Sequence, residues 1–192
     1  MASDSELIGR LQAGNLEALG ELYDRHKNLV FRTALVITGD PDAAADLLQD
    51  VFLRLNRFAN HIDVTRPLEP WLYRMTANLS YTWIKRSHRW WPTLEDVADW
   101  LTGARRNGSQ DIHEPDEKWH QLEQAMSSLP FPQRVVVVLY YVNDLSIQEI
   151  SDILDVPVGT VKSRLFYGRE IIKKQLGLTA IDKLTDLQYE FT

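Results

Sequence analysis

The chain of 192 residues contains no cysteine. This absence excludes disulfide frameworks, thiolate nucleophiles and cysteine-based zinc sites. The chain also lacks a long apolar run, since the longest one, at residues 135–142, is far shorter than the roughly 20 residues that span a bilayer. The first ten residues, MASDSELIGR, have no apolar core of the kind found in secretory signals. We therefore expect a soluble, cytoplasmic protein without direct membrane insertion.

The chain also lacks the net positive charge that is typical of a nucleic-acid-binding protein, because its formal net charge is -6. The charge is unevenly distributed. Residues 92–118 hold three basic and seven acidic groups, whereas residues 70–94 hold four basic groups and no acidic one. A second basic stretch, residues 156–176, has five basic groups and one acidic group. These patches can meet phosphates, but we expect a modest, salt-sensitive affinity for DNA unless a partner protein assists.

Apolar residues recur at helical spacing along nearly the whole chain. Within residues 44–55 they fall at i, i+3, i+4, i+7, i+8 and i+11, which places them on one helix face. Asp40 followed by Pro41 is typical of a helix start, and Ser3-x-x-Glu6 is typical of a capping box. The stretch VVVVLYYV is rich in strand-forming residues, yet its apolar positions also keep helical spacing, and we predict a buried helix there.

One stretch, ARRNGSQDIHEPDE, interrupts this pattern because it is poor in apolar residues and rich in glycine, serine and charge. Such a composition is typical of a linker. The length of the chain allows one or two domains, since a domain usually takes about 100–200 residues. We predict an all-α protein with two small helical domains joined by a flexible acidic linker. The predicted parts are a first domain at 1–91, the linker at 92–118, a second domain at 119–176 and a C-terminal extension at 177–192.

The second predicted domain contains the signature of a helix-turn-helix. Ser146-x-x-Glu149 is a capping-box pattern for one helix, this helix is expected to end near Asp155, and a second helix is expected to begin with Pro157 at its first position. At about 100° per residue, Val161 and the residues in phase with it face the core. The opposite face carries Thr160, Lys162, Ser163, Phe166, Tyr167, Lys173 and Lys174.

The composition of that exposed face has two interpretations. Lysine and serine side chains can hydrogen-bond to base edges or phosphates, and aromatic rings can contact thymine methyls or sugars. The face is equally consistent with a solvated cationic surface whose aromatic side chains pack on a neighbouring domain, because paired helices are common. Helical periodicity alone leaves both interpretations open.

A helix in the first domain shows a similar division into two faces at the same angular step. One face carries Leu72, Met75, Leu79 and Trp83. The far face carries Arg74, Asn78, Tyr81 and Lys85. We expect Trp83 to belong to the core on burial grounds and Tyr81 to be the better platform for stacking on an extruded base. Such stacking contributes about 1–3 kcal/mol per base.

One group of residues has side chains that suit a metal: His113, Asp116, Glu117 and His120. Asp116 and His120 could share a helix face, but no third ligand at a recognisable zinc spacing accompanies them. We therefore expect no metal, no cofactor and no enzymatic activity.

Three segments resemble, in order and spacing, regions two and four of bacterial extracytoplasmic-function (ECF) sigma factors of RNA polymerase. They are AADLLQDVFLRL, PWLYRMTANLSYTWIKR and LPFPQRVVVVLYYVNDLSIQEISDILDVPVGTVKSRLFYGRE. The most specific part is VPVGTVKSRL. The resemblance implies an alternative sigma factor, which binds core RNA polymerase, directs it to specific promoters and initiates transcription. The alternative is a polymerase-independent helix-turn-helix regulator that binds a palindromic site as a symmetric dimer.

The resemblance implies three contact surfaces. Core polymerase would bind Asp46, Gln49, Asp50, Leu53 and Arg54. The promoter element nearest the start site would be recognised and held open as a single strand by Asn60, His61, Arg74, Asn78, Tyr81, Lys85, Arg86 and Arg89. The upstream promoter element would be read as duplex DNA by Thr160, Lys162, Ser163, Arg164, Phe166, Tyr167 and Arg169.

The resemblance also implies an anti-sigma protein as a partner, since members of the family often have one that is frequently attached to a membrane. At two positions the chain departs from the pattern of many relatives, which have an arginine where this chain has Ala77 and an aspartate where it has Thr82. The contacts of those two side chains cannot be transferred to this chain. The sequence therefore does not predict which promoter sequence is recognised.

Overall fold

The structure, a computed structural model, describes residues 2–87 and 124–176. Within these two segments the regular elements are helical, and no residue is in a β-strand, which confirms the predicted all-α class. The first segment contains α1 (Asp4–Gln12), α2 (Leu16–Thr38), α3 (Pro41–Phe58), a 3₁₀ turn (Ala59–His61) and α4 (Glu69–Ser87). The second contains a helical stretch at 124–128, α5 (Phe131–Tyr141), α6 (Ile147–Leu154) and α7 (Val158–Gln175).

Side-chain caps begin the first helices, as the sequence predicts. Ser3 accepts a hydrogen bond from the Glu6 backbone, and the Glu6 carboxylate accepts one from the Ser3 backbone, so α1 has the predicted capping box. Asp40 accepts from the backbone of Ala43 and precedes the proline that begins α3. Gly39, between α2 and α3, has a φ of 66°, which a residue without a Cβ adopts without strain.

The first helical group, α1 to α4, packs around α2. This helix contacts α1, α3 and α4 along its length. Its core consists mainly of leucines and other aliphatic side chains that recur at helical spacing, such as Leu22, Leu47 and Leu72. The group therefore has its own apolar interior, and the outer face of α3 is left to solvent.

The second helical group, α5 to α7, is built on α5, and the predicted buried helix at VVVVLYYV is confirmed. All residues from Val135 to Leu139 are buried. A helix that is covered on every side tolerates valine on all its faces, because burial of each side chain outweighs the modest helix propensity of valine. The apolar contacts of α5 with α6 and α7 thus decide its conformation.

The two helical groups are in contact with each other. Ile37 on α2 and Tyr73 and Ala77 on α4 are buried in the same apolar cluster as the valines of α5. Burial raises the pKa of the Tyr73 hydroxyl, because the charged phenolate is disfavoured in the apolar cluster. The sequence pattern assigned each helix to its own domain and did not predict this shared cluster.

Several sequence-based predictions concern residues outside the two described segments. They are the acidic linker, the C-terminal extension, Arg89 and the group of His113, Asp116, Glu117 and His120. In the described segments, no helix combines the length and the apolar character needed to cross a membrane.

Candidate nucleic-acid and partner interfaces

The outer face of α3 carries all five residues that the sequence assigns to polymerase binding. The inner face of this helix is buried against α2, so the residues between the core positions point to solvent. Leu53 is 64% exposed in the middle of this polar face. The exposed set is Asp46, Gln49, Asp50, Leu53 and Arg54. The arrangement offers an apolar side chain surrounded by carboxylates, an amide and a guanidinium.

The described residues that are predicted to contact the start-proximal element lie in two places, the turn after α3 and the outer face of α4. Asn60 and His61 are exposed in the 3₁₀ turn. The exposed residues of α4 include Arg74, Asn78, Tyr81, Lys85 and Arg86, so five of the predicted single-strand contacts share this helix. The ammonium group of Lys85 lies 5.3 Å from the centroid of the Tyr81 ring, within the range of a cation–π contact.

The inner face of α4 fits the phase predicted from the sequence. Leu72 and Leu79 are buried, and Met75 and Trp83 are partly buried against the same core. Trp83 therefore packs on the first helical group, as expected. Among the aromatic residues of α4, Tyr81 is exposed, whereas Tyr73 is buried and Trp71 and Trp83 are partly buried. The ring of Tyr81 is therefore the most accessible of the four to a partner molecule.

The loop between the 3₁₀ turn and α4 is held by a local hydrogen-bonded turn. The hydroxyl of Thr65 donates to the Asp63 carboxylate at 2.6 Å, and the Thr65 backbone donates to the same oxygen at 2.9 Å. These hydrogen bonds, together with the charge of Arg66, lower the pKa of Asp63. The loop thus carries a negative charge at Asp63 beside the positive charge of Arg66, and its surface is not uniformly basic.

Two residues of the α4 surface contact the second helical group. The guanidinium of Arg74 donates to the backbone oxygens of Ile153 and Asp152 at 2.5 and 2.6 Å. The ring of Tyr81 lies 4.9 Å, centroid to centroid, from the ring of Phe131. Sequence reasoning missed both contacts, because they join residues that are at least 50 positions apart.

The helix-turn-helix forms at the predicted place. Ser146 and Glu149 make both hydrogen bonds of the capping box that begins α6. Asp155 follows α6 with a φ of 54°, and the Ser151 hydroxyl donates to the Val156 carbonyl at 2.6 Å, which closes the turn. The sequence predicts Pro157 as the first helical residue of α7, and this prediction is wrong by one position. Pro157 is the residue before the helix, since its ψ of 145° is extended.

The exposed face of α7 is the one predicted from its phase. Val161, Leu165 and Gly168 are buried, and Ile172 is partly buried. Of the predicted upstream contacts, Thr160, Lys162 and Arg164 are partly buried and Ser163, Phe166 and Tyr167 are exposed. The rings of Phe166 and Tyr167, which are 49% and 58% exposed, meet edge to face at 5.5 Å. Exposed neighbouring aromatics beside cationic and hydroxyl groups suit contact with DNA sugars and bases.

Arg169 differs from the other predicted upstream contacts. It is only 9% exposed, next to Gly168, and lies on the inward part of α7. At about 100° per residue it lies beside the core stripe rather than opposite to it, so its stem packs inside the group. We therefore leave Arg169 out of the exposed DNA-facing set.

A cluster of side chains that sequence reasoning missed lies at the junction of α1, α2 and α4. The Nε2 atom of buried His26 lies 2.6 Å from the Asp4 carboxylate, and Glu69 offers a further carboxylate oxygen within 4.8 Å. Arg25 forms an ion pair with the same Asp4. Asp4 thus already has a cationic and an imidazole partner, and we interpret the cluster as a link between helices.

Comparison with known proteins shows the family of the chain. Residues 22–90 match the family model of Sigma-70 region 2, and residues 119–172 match that of Sigma-70 region 4. The chain is 30% identical over 176 residues to the ECF RNA polymerase sigma factor SigW of Bacillus subtilis, covering 88% of this chain and 94% of SigW. The chain belongs to the ECF sigma factors of RNA polymerase. It is also 30% identical to SigM of the same organism over 155 residues, covering 81% of this chain and 93% of SigM.

Solved structures show the same fold. The sigma factor is similar to CnrH in a complex with the cytosolic domain of CnrY, with a TM-score of 0.67 and 22% identity, covering 92% of this chain and 99% of CnrH. It is also similar to RpoE in a complex with the anti-sigma factor NepR from Bartonella quintana, with a TM-score of 0.62 and 19% identity, covering 84% and 98%.

Family membership decides between the two functional interpretations of the helix-turn-helix. The chain is an alternative sigma factor, which binds core RNA polymerase, directs it to specific promoters and initiates transcription. Its relatives are transcription factors rather than enzymes. A polymerase-independent regulator is not favoured, since the matches cover both helical groups and not the helix-turn-helix alone.

Proposed function

We propose that this sigma factor divides its work among three surfaces. The outer face of α3 binds core polymerase, the outer face of α4 with the preceding turn holds the melted strand near the start site, and α7 reads the upstream element. The observation that carries this proposal is the exposure pattern of α3. It buries one apolar stripe and leaves all five predicted polymerase contacts accessible on one face, including Leu53.

The α4 surface suits a single strand because it combines stacking with positive charge. Tyr81 offers an exposed ring, Lys85 lies beside that ring, and Arg86 follows in the same turn. Base stacking on an aromatic side chain is worth about 1–3 kcal/mol and tolerates any base, while cations hold the backbone. Asn60 and His61 extend this surface at the end of α3, and Arg74 and Asn78 extend it along α4.

The α7 surface suits a duplex because a helix fits the major groove. We assign base and phosphate contacts to Thr160, Lys162, Ser163, Arg164, Phe166 and Tyr167. In this structure the Ser163 hydroxyl donates to the Thr160 carbonyl at 3.0 Å, a bond that leaves its oxygen able to accept from a base.

We propose further that the chain works in the cytoplasm without catalysing a reaction of its own, and that an anti-sigma protein binds it. The described residues contain no helix able to span a bilayer. A similar fold is found in RpoE bound to the anti-sigma factor NepR. An anti-sigma partner that covers the polymerase or DNA surfaces would hold the chain inactive.

The test is reconstitution with bacterial core polymerase. The purified chain should join core enzyme stoichiometrically, and the mixture should produce RNA from a small set of start sites on genomic DNA. Mapped start sites should share an upstream and a start-proximal element. A chain that fails to associate with core enzyme, or RNA starts that do not depend on the chain, would contradict the proposal.

A further inference from the structure

A glutamine at the end of α1 holds the segment at 59–68, which connects α3 to α4. The side-chain nitrogen of Gln12 donates to the carbonyl oxygens of Ala59 and Ile62, both at 3.0 Å. An amide nitrogen carries two N–H groups, so these two hydrogen bonds use its full capacity as a donor. The two carbonyls lie 47 and 50 residues after Gln12 in the chain. The hydrogen bonds therefore join separate parts of the fold and not neighbouring turns of one helix.

The two carbonyls that Gln12 holds lie on either side of the predicted DNA contacts of the 3₁₀ turn. Asn60 and His61 stand between them in the chain, and both side chains are exposed. Ala59 is only 4% exposed, and Ile62 packs against the apolar core of the first helical group. The turn thus has an inner side that is fixed by Gln12 and the core. Its outer side presents the two residues that are predicted to contact the start-proximal element.

A serine on the same face of α1 makes a further hydrogen bond to this segment. Ser5 lies seven residues before Gln12, which is about two helical turns, so the two side chains point in a similar direction. The hydroxyl of Ser5 donates to the carbonyl oxygen of Val64. Val64 is partly buried against the same core. The part of the segment that follows the 3₁₀ turn is therefore also attached to α1.

α1 is in turn fixed to the first helical group. Leu7, Ile8 and Leu11 are buried in its core. Asp4, in the first turn of α1, accepts a hydrogen bond from Arg25 of α2. Side chains on a loop keep a precise binding geometry only when packing and hydrogen bonds fix the backbone that carries them. An anchored α1 supplies such a support to the segment that connects α3 to α4.

We propose that Gln12 is a positioning residue for recognition of the start-proximal element: it fixes the backbone of the 3₁₀ turn so that Asn60 and His61 meet the DNA in one geometry. This inference rests on the proposed function of that turn. Gln12 is partly buried and its donors are engaged with the turn, so it acts through the two exposed side chains. Without these donors, both side chains remain present but take several orientations. Discrimination between start-proximal sequences then falls, while the other surfaces keep their function.

The first experiment measures that discrimination in the complex of the chain with core polymerase. Each base of a mapped start-proximal element is changed in turn, and permanganate reactivity measures promoter opening. Gln12→Glu keeps the size of the side chain but replaces its donors with an acceptor oxygen. It should reduce discrimination at one or two positions of this element about fivefold or more, the size of one lost base contact. Discrimination in the upstream element and binding to core polymerase should not change.

Two matched variants separate the loss of the donors from a change of charge. Gln12→Lys keeps N–H donors at this position and should retain most of the discrimination of the wild type. Ala13→Glu adds the same negative charge at the next residue, which is exposed, and removes no donor, so it should behave like the wild type. A loss in either variant as large as that in Gln12→Glu would overturn the proposal. So would an equal loss of discrimination in the upstream element.

A double-mutant cycle tests whether Gln12 acts through the turn. Asn60→Ala combined with His61→Ala removes the side chains that the turn presents. In this background Gln12→Glu should cause little further loss of discrimination, because the groups that it positions are already absent. Fully additive losses would refute the positioning role. Urea unfolding shows whether each variant folds, and Gln12→Ala, which adds no repelling oxygen, replaces Gln12→Glu if that variant does not.

The same cycle distinguishes the failure of this inference from the failure of the proposed function. If Asn60→Ala with His61→Ala leaves discrimination unchanged, the turn does not contact the start-proximal element, and both are wrong. If that double variant loses discrimination but Gln12→Glu and Gln12→Ala do not, the proposed function of the turn stands and the positioning role of Gln12 is refuted.

Discussion

Individual residues at the start of α6 show how single hydrogen bonds fix the helix-turn-helix. The carboxylate of Glu149 accepts from the Ser146 hydroxyl at 2.7 Å and from the Ser146 backbone at 2.8 Å. These hydrogen bonds lower the pKa of Glu149, with the side-chain bond as the larger cause. Because the folded pKa of this carboxyl lies below its unfolded value, the cap stabilises the fold above the unfolded pKa. That contribution is lost as pH falls through the folded pKa.

Ser146→Ala should therefore raise the pKa of Glu149 toward that of an unstructured glutamate, because the larger of its hydrogen bonds is removed. An NMR titration of the Glu149 side chain measures this shift. The stability deficit of the variant, from urea unfolding at several pH values, should be largest near neutral pH and should shrink in acid. A deficit that grows in acid would contradict the role of the charged cap.

Lys162→Ala and Ser163→Ala test the base-reading role of α7. Each should weaken binding of the polymerase complex to the upstream element by about 1–3 kcal/mol if it contacts a base, and should reduce discrimination against an altered element. Lys174→Ala, at the exposed far end of the same helix, is the matched control. Competition binding with intact and scrambled upstream elements measures the effect. A loss of core binding in either variant would instead place these side chains in the polymerase interface.

At the scale of elements, the packing of α5 on α7 holds the recognition helix in place. A Cβ atom at Gly168 would lie 2.9 Å from a methyl group of Val137 and 3.5 Å from the Cβ of Gln133. The two helices approach so closely there that only glycine fits without movement. This close approach orients the exposed face of α7 relative to the rest of the second group.

Gly168→Leu should destabilise the second helical group by roughly 2 kcal/mol, because extra atoms in a packed core displace their neighbours. The control is Gly159→Leu on the same helix, where a Cβ would meet no atom within 4 Å. Urea unfolding of both variants gives the comparison. Equal stability of the two variants would show that α5 can move away from α7 at little cost.

The outer face of α3 allows a test that leaves its buried face intact. Asp50→Arg should weaken core-polymerase binding about tenfold or more, a change of at least 1.4 kcal/mol, because it reverses a charge on the proposed contact. Its circular dichroism should match that of the wild type, since Asp50 is exposed. Asp24→Arg, an exposed charge reversal on α2, controls for net charge. Equal losses in both variants would mean that overall charge, not the α3 face, governs binding.

For the whole molecule, the charge predicts that promoter recognition depends on polymerase. The formal net charge of -6 opposes long-range attraction to DNA, so the isolated chain must rely on local basic patches. We expect its affinity for promoter duplex to fall in the nonspecific range of about 10⁻⁴–10⁻⁶ M at physiological salt, and to decrease further with added salt. Fluorescence anisotropy with and without core enzyme measures this difference. Tight binding of a palindromic site by a dimer of the free chain would contradict it.

Much of this architecture follows from local sequence. Helical spacing predicts the inner and outer faces of α3, α4 and α7. The capping patterns at Ser3, Asp40 and Ser146 predict where helices begin. Both kinds of prediction succeed because they depend on residues within one or two helical turns. The burial of Arg169 could not be predicted in this way. Its position borders the core stripe, and at such a border the packing of neighbouring helices decides whether a long side chain is buried.

The sequence by itself thus determined the helices, their exposed faces and the sigma-factor family, since periodicity, capping and motif spacing are written in neighbouring residues. Only the tertiary structure decided how the two helical groups meet. The pairing of Arg74 with the end of α6, and of Arg134 with the end of α2, joins backbone carbonyls to side chains far away in the chain. Every residue carries a chemically equivalent backbone carbonyl oxygen. The residue pattern therefore does not predict which helix end a distant arginine caps.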